Sequence, residues 1–169
     1  MSGVFVVGFM GAGKSTVGKA LARRLGWRFV DLDQEIEAAE GASISEIFSG
    51  RGEAEFRRIE SAALSRQVER MAAGAPAVVA LGGGAFTIVA NRELVRGQGT
   101  TVWLDCPFEV VQRRVAQATH RPLARDPAAF AKLYSDRQQA YAHADLRVPI
   151  ESDDPEATVD AIVARLGAR

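Results

Sequence analysis

The 169-residue chain lacks several sequence features that are typical of particular classes of protein. Cys106 is its only cysteine, so no disulfide can form within the chain, which suits a reducing compartment. Its 21 basic and 21 acidic residues cancel, so no overall field attracts nucleic acid or an anionic membrane. No apolar run reaches the roughly 18 residues that span a bilayer, and no signal-peptide pattern opens the chain. We therefore expect a cytoplasmic protein that binds neither nucleic acid nor membrane.

Asparagine and histidine are also scarce, and their positions disfavour two kinds of site. Asn91 is the only asparagine, and no lysine follows it, so the chain lacks the Asn-Lys-x-Asp segment with which GTPases read guanine. A D-x-x-G switch element is missing as well. The two histidines, His120 and His143, do not have the spacing of metal ligands. A GTPase switch and a histidine-held metal centre are therefore poor hypotheses.

The pattern of apolar residues predicts an α/β protein, and its length fits a single domain over residues 1–169. Short apolar runs predict five strands, at 4–7, 27–30, 77–81, 101–104 and 146–150. Helical patterns alternate with them, and a capping box from Ser43 to Glu46 opens a helical stretch to about 71, with a break near Gly50 and Gly52. This alternation predicts a parallel sheet covered by helices on both faces. Ligands of such sheets bind at the carboxyl ends of the strands.

A glycine-rich motif, Gly8-Phe-Met-Gly-Ala-Gly13-Lys14-Ser15, follows the first predicted strand and opens the first predicted helix. It matches G-x-x-x-x-G-K-S/T, a loop whose backbone N–H groups surround the phosphates of a nucleotide. Lys14 would supply positive charge to the β- and γ-phosphate oxygens, and the Ser15 hydroxyl would bind Mg²⁺. A chance glycine-rich turn is the alternative, but the flanking strand and helix are the context that the motif requires. The motif predicts binding of a nucleoside triphosphate.

Two acidic residues follow the second predicted strand. Alternation along an extended segment places Asp31 and Asp33 on the same side of the chain. A kinase needs one acidic group near the metal and another that holds or deprotonates the acceptor hydroxyl. The alternative is structural, with Asp31 ending the strand and Asp33 capping the next helix. These residues alone do not decide between the two.

An arginine and three glycines complete the acceptor side of the prediction. Arg57 lies three residues before Glu60, so the carboxylate can brace the guanidinium from the same helix face. A braced arginine suits bidentate binding of a carboxylate, although an ordinary surface ion pair is the alternative. Arg58 points about a third of a turn away and is expected in solvent. The three glycines at 82–84, here called the glycine strip, permit close approach of a ligand to backbone N–H groups.

The polar segment 117–125 predicts a mobile lid. Arg121 near its centre would bring a guanidinium to the transferred phosphate as water leaves the site. The alternative is a loop in which Arg121 is merely solvated. Arg137, on the helix predicted to follow, is a further cation.

Taken together, the motifs resemble those of shikimate kinases. In chain order they are G-F-M-G-A-G-K-S-T, F-V-D-L-D, S-I-S-E-I-F, G-E-A-E-F-R-R-I-E, L-G-G-G-A, R-P-L and R-Q-Q-A-Y, and the resemblance spans residues 4–155. It implies the P-loop fold of nucleoside monophosphate kinases, a three-layer α/β/α arrangement with a five-stranded parallel sheet in the order 2-3-1-4-5. It also implies an acceptor-binding part at about 32–60 and a mobile lid at about 112–125.

The resemblance implies a role for each matching residue. Catalysis would fall to Lys14, Asp33 (as base or orienting group) and Arg121. ATP would be held by Gly11, Ala12, Gly13, Lys14, Ser15, Thr16, Arg114, Arg121 and Pro155. Shikimate would be bound by Asp33, Arg57, Gly83, Arg137, Phe48 and Phe56. One Mg²⁺ ion would bind with ATP, through Ser15 and, by way of a water, Asp31.

The implied activity is phosphorylation of the 3-hydroxyl of shikimate by ATP, on the route to chorismate and the aromatic amino acids. A gluconate-type or nucleoside monophosphate kinase is the nearest alternative, although an acceptor phosphate favours more cations than Arg57 and Arg137 provide. A non-catalytic ATP-binding module is the alternative from another class, and the complete set of reactive residues argues against it. The lid departs from the family pattern, because the segment before Arg121 lacks the usual glycines. We expect a monomer.

Overall fold

Five short strands form one parallel sheet in the computed structural model, which describes residues 2–117 and 126–168. They are β1 (Gly3–Val7), β2 (Arg28–Asp31), β3 (Ala77–Ala80), β4 (Thr100–Asp105) and β5 (Leu146–Pro149). Their order across the sheet is β2-β3-β1-β4-β5, which confirms the predicted order. Every residue of the central strand β1 is buried, as expected for a strand with neighbours on both edges and helices on both faces.

Within the described residues, eight α-helices accompany the sheet. They are α1 (Lys14–Leu25), α2 (Leu32–Glu40), α3 (Ile44–Arg51), α4 (Glu53–Ala72), α5 (Val89–Val95), α6 (Phe108–Gln117), α7 (Pro127–Tyr141) and α8 (Pro155–Gly167). A 3₁₀ turn at Ala85–Thr87 precedes α5. Helix α1 packs against α8 and β3, and α4 packs against α2, α3 and α5. None of the described helices is long and apolar enough to cross a membrane.

The helix ends follow the chemistry of their capping residues. The Ser43 hydroxyl accepts a hydrogen bond from the Glu46 N–H at 3.1 Å, which confirms Ser43 as the N-cap of α3 and supplies one of the two bonds of the predicted capping box. The predicted break in the stretch 43–71 lies at Gly52, whose φ of 83° separates α3 from α4. Asp126 and Asp154 cap α7 and α8, each with a proline in the first turn.

Helix α5 has no counterpart among the predicted elements, and α2 was predicted only in the alternative in which Asp33 caps the helix after the second strand. Helix α2 buries only Leu32 and Ile36, so its apolar period is too sparse to stand out among its acidic residues. Helix α5 has seven residues, and one of its apolar side chains, Val89, is 60% exposed. Both helices pack against α4, which holds them in place although their apolar patterns are short.

The strand register brings three predicted motifs to one edge of the sheet. Asp31 at the end of β2 is level with Ala80 at the end of β3, and Val6 in β1 is level with Ala80 as well. The phosphate loop, the acidic pair and the glycine strip therefore leave the sheet side by side.

Candidate active site

The phosphate loop runs from the end of β1 to the start of α1 through three glycines of positive φ. Gly8, Gly11 and Gly13 have φ values of 152°, 79° and 91°. A β-carbon on Gly8 would lie 2.9 Å from the Leu104 carbonyl oxygen, so there is no room for a side chain. The positive φ of Gly8 is also one that other residues rarely adopt. Gly13 is the N-cap of α1 and has no side chain to occupy the first amides of the helix. Those amides form an anion-binding site.

Lys14 lies back over the loop that precedes it. Its Nζ donates to the carbonyl oxygens of Gly8 at 2.9 Å and Phe9 at 3.0 Å. These bonds hold the ammonium beside the helix N-terminus, so the two sources of positive potential act on the same space.

Ser15 and Asp31 form the closest polar pair of the site. The Ser15 hydroxyl donates to Asp31 Oδ2 at 2.5 Å. The other carboxylate oxygen accepts from the Gln34 N–H at 3.2 Å, so Asp31 is the N-cap of α2. Asp31 therefore ends β2, as the structural alternative predicted, but the second part of that alternative was wrong, because Asp31 rather than Asp33 caps the helix. A hydroxyl and a carboxylate side by side are hard oxygen donors that fit Mg²⁺.

Asp33 lies in the first turn of α2 and faces the glycine strip. A β-carbon on Gly82 would be 2.8 Å from its Oδ1. Burial is the largest cause that raises the pKa of the Asp33 carboxyl, and the negative charge of Asp31 adds to it. Lys14 and Arg57 act in the opposite direction and do not cancel the shift. A raised pKa makes this carboxylate a stronger base than an ordinary aspartate.

Arg57 is braced as the sequence predicted. Its Nη1 lies 2.8 Å from Glu60 Oε1, and Glu60 is only 1% exposed. Burial raises the pKa of the Glu60 carboxyl, although the hydrogen bond from Arg57 opposes the shift. Arg58 lies in solvent with its side chain 67% exposed, and it pairs with Glu55.

Two phenylalanines support the Arg57 guanidinium. Its Cζ lies 5.9 Å from the centre of the Phe48 ring and 5.3 Å from that of Phe56. The two ring centres are 4.6 Å apart. Contact with aromatic rings holds a guanidinium in place, so the two phenylalanine rings fix Arg57 in addition to its ion pair with Glu60.

The glycine strip gives the surrounding side chains the space in which they lie. A β-carbon on Gly83 would lie 2.9 Å from Arg137 Nη1, and one on Gly84 would collide with the Arg57 guanidinium. None of the three glycines has a positive φ, so space rather than backbone conformation requires them. Asp33, Arg57 and Arg137 therefore converge on a single stretch of bare backbone.

Helix α7 contributes Arg137 together with a residue whose role the sequence did not reveal. The Tyr141 hydroxyl donates to the Gly83 carbonyl oxygen at 2.6 Å, and Tyr141 is fully buried. Burial raises the pKa of this hydroxyl, so it stays a donor at neutral pH. The spacing of four residues between Arg137 and Tyr141 in R-Q-Q-A-Y was the available signal, because it places both on one face of a helix. Arg137 Cζ also lies 5.7 Å from the centre of the Phe9 ring in the phosphate loop.

Arg114, on α6, contacts the phosphate loop at Gly11. Its Nη1 donates to the Gly11 carbonyl oxygen at 2.8 Å, and its Nη2 lies 3.0 Å from Asp153 Oδ1. Arg121 and the rest of segment 118–125 lie outside the described residues, so the predicted lid is represented only by its first part, within α6.

Two cavities collect most of the predicted site residues. The first, of about 730 Å³, is lined by Gly11, Ala12, Gly13, Lys14, Ser15, Thr16, Asp31, Asp33, Gly83, Arg114 and Pro155, among others. The second, of about 620 Å³, is lined by Arg57 and Arg137 together with Arg92, Asp136 and His143, among others. Both guanidiniums line the second cavity and approach the glycine strip, and Gly83 of that strip lines the first cavity, so the two cavities adjoin at the strip.

Comparison with known proteins identifies the family. A family model for shikimate kinase matches residues 10–167, nearly the whole chain. The chain belongs to the shikimate kinase family. The shikimate kinase of Ruegeria pomeroyi is 45% identical over 98% of this chain and 85% of its own. That of Persephonella marina is 41% identical over 98% of this chain and 99% of its own.

Solved shikimate kinases share the fold along the whole chain. The shikimate kinase from Acinetobacter baumannii in complex with shikimate matches with a TM-score of 0.90 and 32% identity, over 99% of this chain and 94% of that one. The shikimate kinase from Aquifex aeolicus matches with a TM-score of 0.87 and 36% identity, over 98% of this chain and 96% of that one. The predicted family and fold are thereby confirmed.

Proposed function

We propose that this member of the shikimate kinase family transfers the γ-phosphate of ATP to the 3-hydroxyl of shikimate, on the route to chorismate. The observation that carries the proposal is the convergence of Asp33, Arg57 and Arg137 on the glycine strip, beside the phosphate loop. One carboxylate and two guanidiniums at bare backbone suit an acceptor that has both a carboxylate and hydroxyl groups.

The two arginines bind the acceptor's carboxylate. Arg57 presents a guanidinium that Glu60, Phe48 and Phe56 hold in place, so little rotational freedom is lost when the acceptor binds. Arg137 completes the clamp from α7. The Gly83 N–H offers a further hydrogen-bond donor to the acceptor. The carbonyl group of the same residue is held by the Tyr141 hydroxyl.

Asp33 holds the acceptor hydroxyl and takes its proton as the oxygen bonds to phosphorus. The raised pKa of Asp33 favours this transfer, since the carboxylate binds a proton more strongly than an exposed aspartate does. Phosphoryl transfer passes through a loose transition state, so orientation of the hydroxyl contributes more than full deprotonation.

The phosphate loop and Lys14 bind the nucleotide's phosphates. The helix N-terminus and the ammonium stabilise the negative charge that develops on the oxygen bridging the β- and γ-phosphates, as its bond to the γ-phosphorus breaks and ADP leaves. Ser15 would hold one Mg²⁺ ion, and Asp31 would bind it through a water. Within the described part of the chain, no three acidic, histidine or cysteine side chains gather to hold a metal by themselves. That suits Mg²⁺, which binds one or two protein oxygens and takes its other ligands from phosphates and water. Bound Mg²⁺ would neutralise charge on the phosphates.

Three further assignments complete the proposal. Arg121 is proposed to reach the γ-phosphate when the lid closes, and Arg114 and Pro155 to lie beside the adenine. Both of the latter line the larger cavity. The monomeric state and the cytoplasmic location stay predictions.

ADP release with different acceptors tests the proposal. Shikimate, gluconate, AMP and no acceptor are compared in parallel, with Lys14→Ala as a control for contaminating kinases. We expect release with shikimate alone, and nearly none from the folded Lys14→Ala protein. Faster release with gluconate or AMP would establish a different kinase, and release that does not depend on any acceptor would establish an ATPase.

A further inference from the structure

The turn that follows the glycine strip is held by a buried side chain from α5. Asn91 is 2% exposed, and its Nδ2 donates to the Ala85 carbonyl oxygen at 2.9 Å. Its Oδ1 accepts from the Ser61 hydroxyl, on α4, at 2.7 Å. The Ala85 carbonyl can only accept, which fixes the orientation of the amide. One asparagine thus joins α4 to the turn.

Neighbouring side chains hold the rest of the same turn. Arg92 Nη1 donates to the carbonyl oxygens of Phe86 at 2.9 Å and Thr87 at 3.2 Å. The Thr87 hydroxyl donates to the Gly84 carbonyl oxygen at 2.6 Å. Successive carbonyls from Gly84 to Thr87 are therefore satisfied by side chains, so the turn has few ways to shift relative to α5.

The two ends of the Asn91 bridge adjoin residues of the acceptor site. Ser61 follows Glu60 and lies one helical turn after Arg57, and Ala85 follows Gly84. The gap between Arg57 and Gly84 is too narrow for a β-carbon. A small movement of α4 relative to the turn would therefore change the position of the guanidinium over the glycine strip.

We infer that the bridge from Ser61 through Asn91 to Ala85 is a positioning device that sets the distance between the Arg57 clamp and the glycine strip, and with it the affinity for the acceptor. This inference rests on the proposed function. Neither Ser61 nor Asn91 needs to touch a substrate. The nucleotide site lies on other elements, so its affinity should not depend on the bridge.

Removal of the Ser61 hydroxyl tests the inference with little risk to folding. Ser61→Ala leaves the bond from Asn91 to Ala85 in place. Ser65→Ala is the matched control, because it makes the same change one turn further along α4, at a serine other than the one bonded to Asn91. We expect Ser61→Ala to raise the KM for shikimate roughly two- to ten-fold, the effect of one hydrogen bond, with the KM for MgATP within about two-fold. Ser61→Thr restores the hydroxyl and should restore the KM for shikimate.

Asn91→Asp provides a second test. Its carboxylate can accept from Ser61 but has no donor for Ala85, so we expect a larger rise in the KM for shikimate than in Ser61→Ala. If Ser61→Ala matches Ser65→Ala in both KM values, or if both substrates weaken equally, the inference is wrong while the proposed function stands. Absence of shikimate turnover by the unaltered protein would overturn the proposed function, and the inference with it.

Discussion

Asp33 is the residue at which the acceptor side of the site meets the phosphate loop. It lies in the first turn of α2, just after the cap residue Asp31. The positive charges of Lys14 and Arg57 both lower the pKa of its carboxyl, against the larger effect of burial. Because the helix cap is Asp31, Asp33 is not needed to begin α2. Its position therefore requires another explanation, which a role toward the acceptor hydroxyl supplies.

Asp33→Asn keeps the size of the side chain and removes its charge. We expect kcat to fall about 100-fold, the low end of the range for general base catalysis, because a loose transition state demands less of the base. The KM for MgATP should change little. In the unaltered protein, kcat/KM should increase as the pH rises. The pH at which it is half-maximal should lie above the ordinary aspartate pKa of about 3.9, since burial raises the pKa of Asp33. Asp160→Asn, an exposed change of the same kind, is the control, and equal kcat in the two variants would contradict the role.

Arg57 and Arg58 provide a matched pair of neighbouring arginines. Arg57→Ala should raise the KM for shikimate roughly ten- to a hundred-fold, because a charge-assisted pair with the carboxylate is lost. Arg58→Ala should leave it unchanged, since Arg58 is exposed and pairs with Glu55. Steady-state kinetics with shikimate and its methyl ester check the assignment. The ester should be a very poor substrate of the unaltered protein, and equal turnover of acid and ester would refute the clamp.

At the scale of elements, the predictable parts are those with local signals. The phosphate loop, the capping box at Ser43 and the stop of α3 at Gly52 depend on residues within one turn of each other, so sequence patterns contain them. The positions of Tyr141 and Asn91 depend on partners 58 and 30 residues away. No local pattern specifies such pairs, and neither residue's role was predicted.

Gly84→Ala tests whether the glycine strip is there to provide space. The new β-carbon would collide with the Arg57 guanidinium and displace it, so we expect the KM for shikimate to rise toward that of Arg57→Ala. Gly50→Ala is the control, because a β-carbon at Gly50 has open space within α3. There, replacing glycine in a helix should stabilise the protein by about 0.5–1 kcal/mol and leave the kinetics unchanged. Normal shikimate kinetics in Gly84→Ala would show that Arg57 can move aside without loss.

The whole molecule is one parallel sheet whose strands alternate along the chain with the helices that cover it. The strand order was predicted from the family resemblance, and the structure confirms it. Apart from Arg121, which lies outside the described residues, the residues that the sequence assigned to ATP meet the acidic pair in one cavity, because the carboxyl ends of β1, β2 and β3 are level. The division of the site into two cavities, with Asp33 in the first and Arg57 and Arg137 in the second, depends on where α4 and α7 place these side chains and could not be seen in the sequence.

The buried acceptor site should cost the protein stability at neutral pH. Since the pKa of Asp33 is raised in the folded state, its favourable contribution to the free energy of unfolding is full below the ordinary pKa of about 3.9 and is lost as pH rises through the folded-state value. Asp33→Asn should therefore have a higher Tm than the unaltered protein at pH 7, and the difference should shrink as the pH is lowered toward 4. Thermal unfolding at several pH values measures this, with Asp160→Asn again as control. A lower Tm for Asp33→Asn at pH 7 would show that burial of the charged carboxylate does not destabilise the protein.

Transfer of phosphate from ATP to the 3-hydroxyl of shikimate is the reaction that we propose for this cleft. Phosphorus NMR of the complete reaction tests it most directly, with the protein, MgATP and shikimate together. We predict one new phosphomonoester signal, coupled to the proton on ring carbon 3 and equal in amount to the ADP formed. ADP accompanied only by inorganic phosphate, or an ester at another hydroxyl, would contradict the claim.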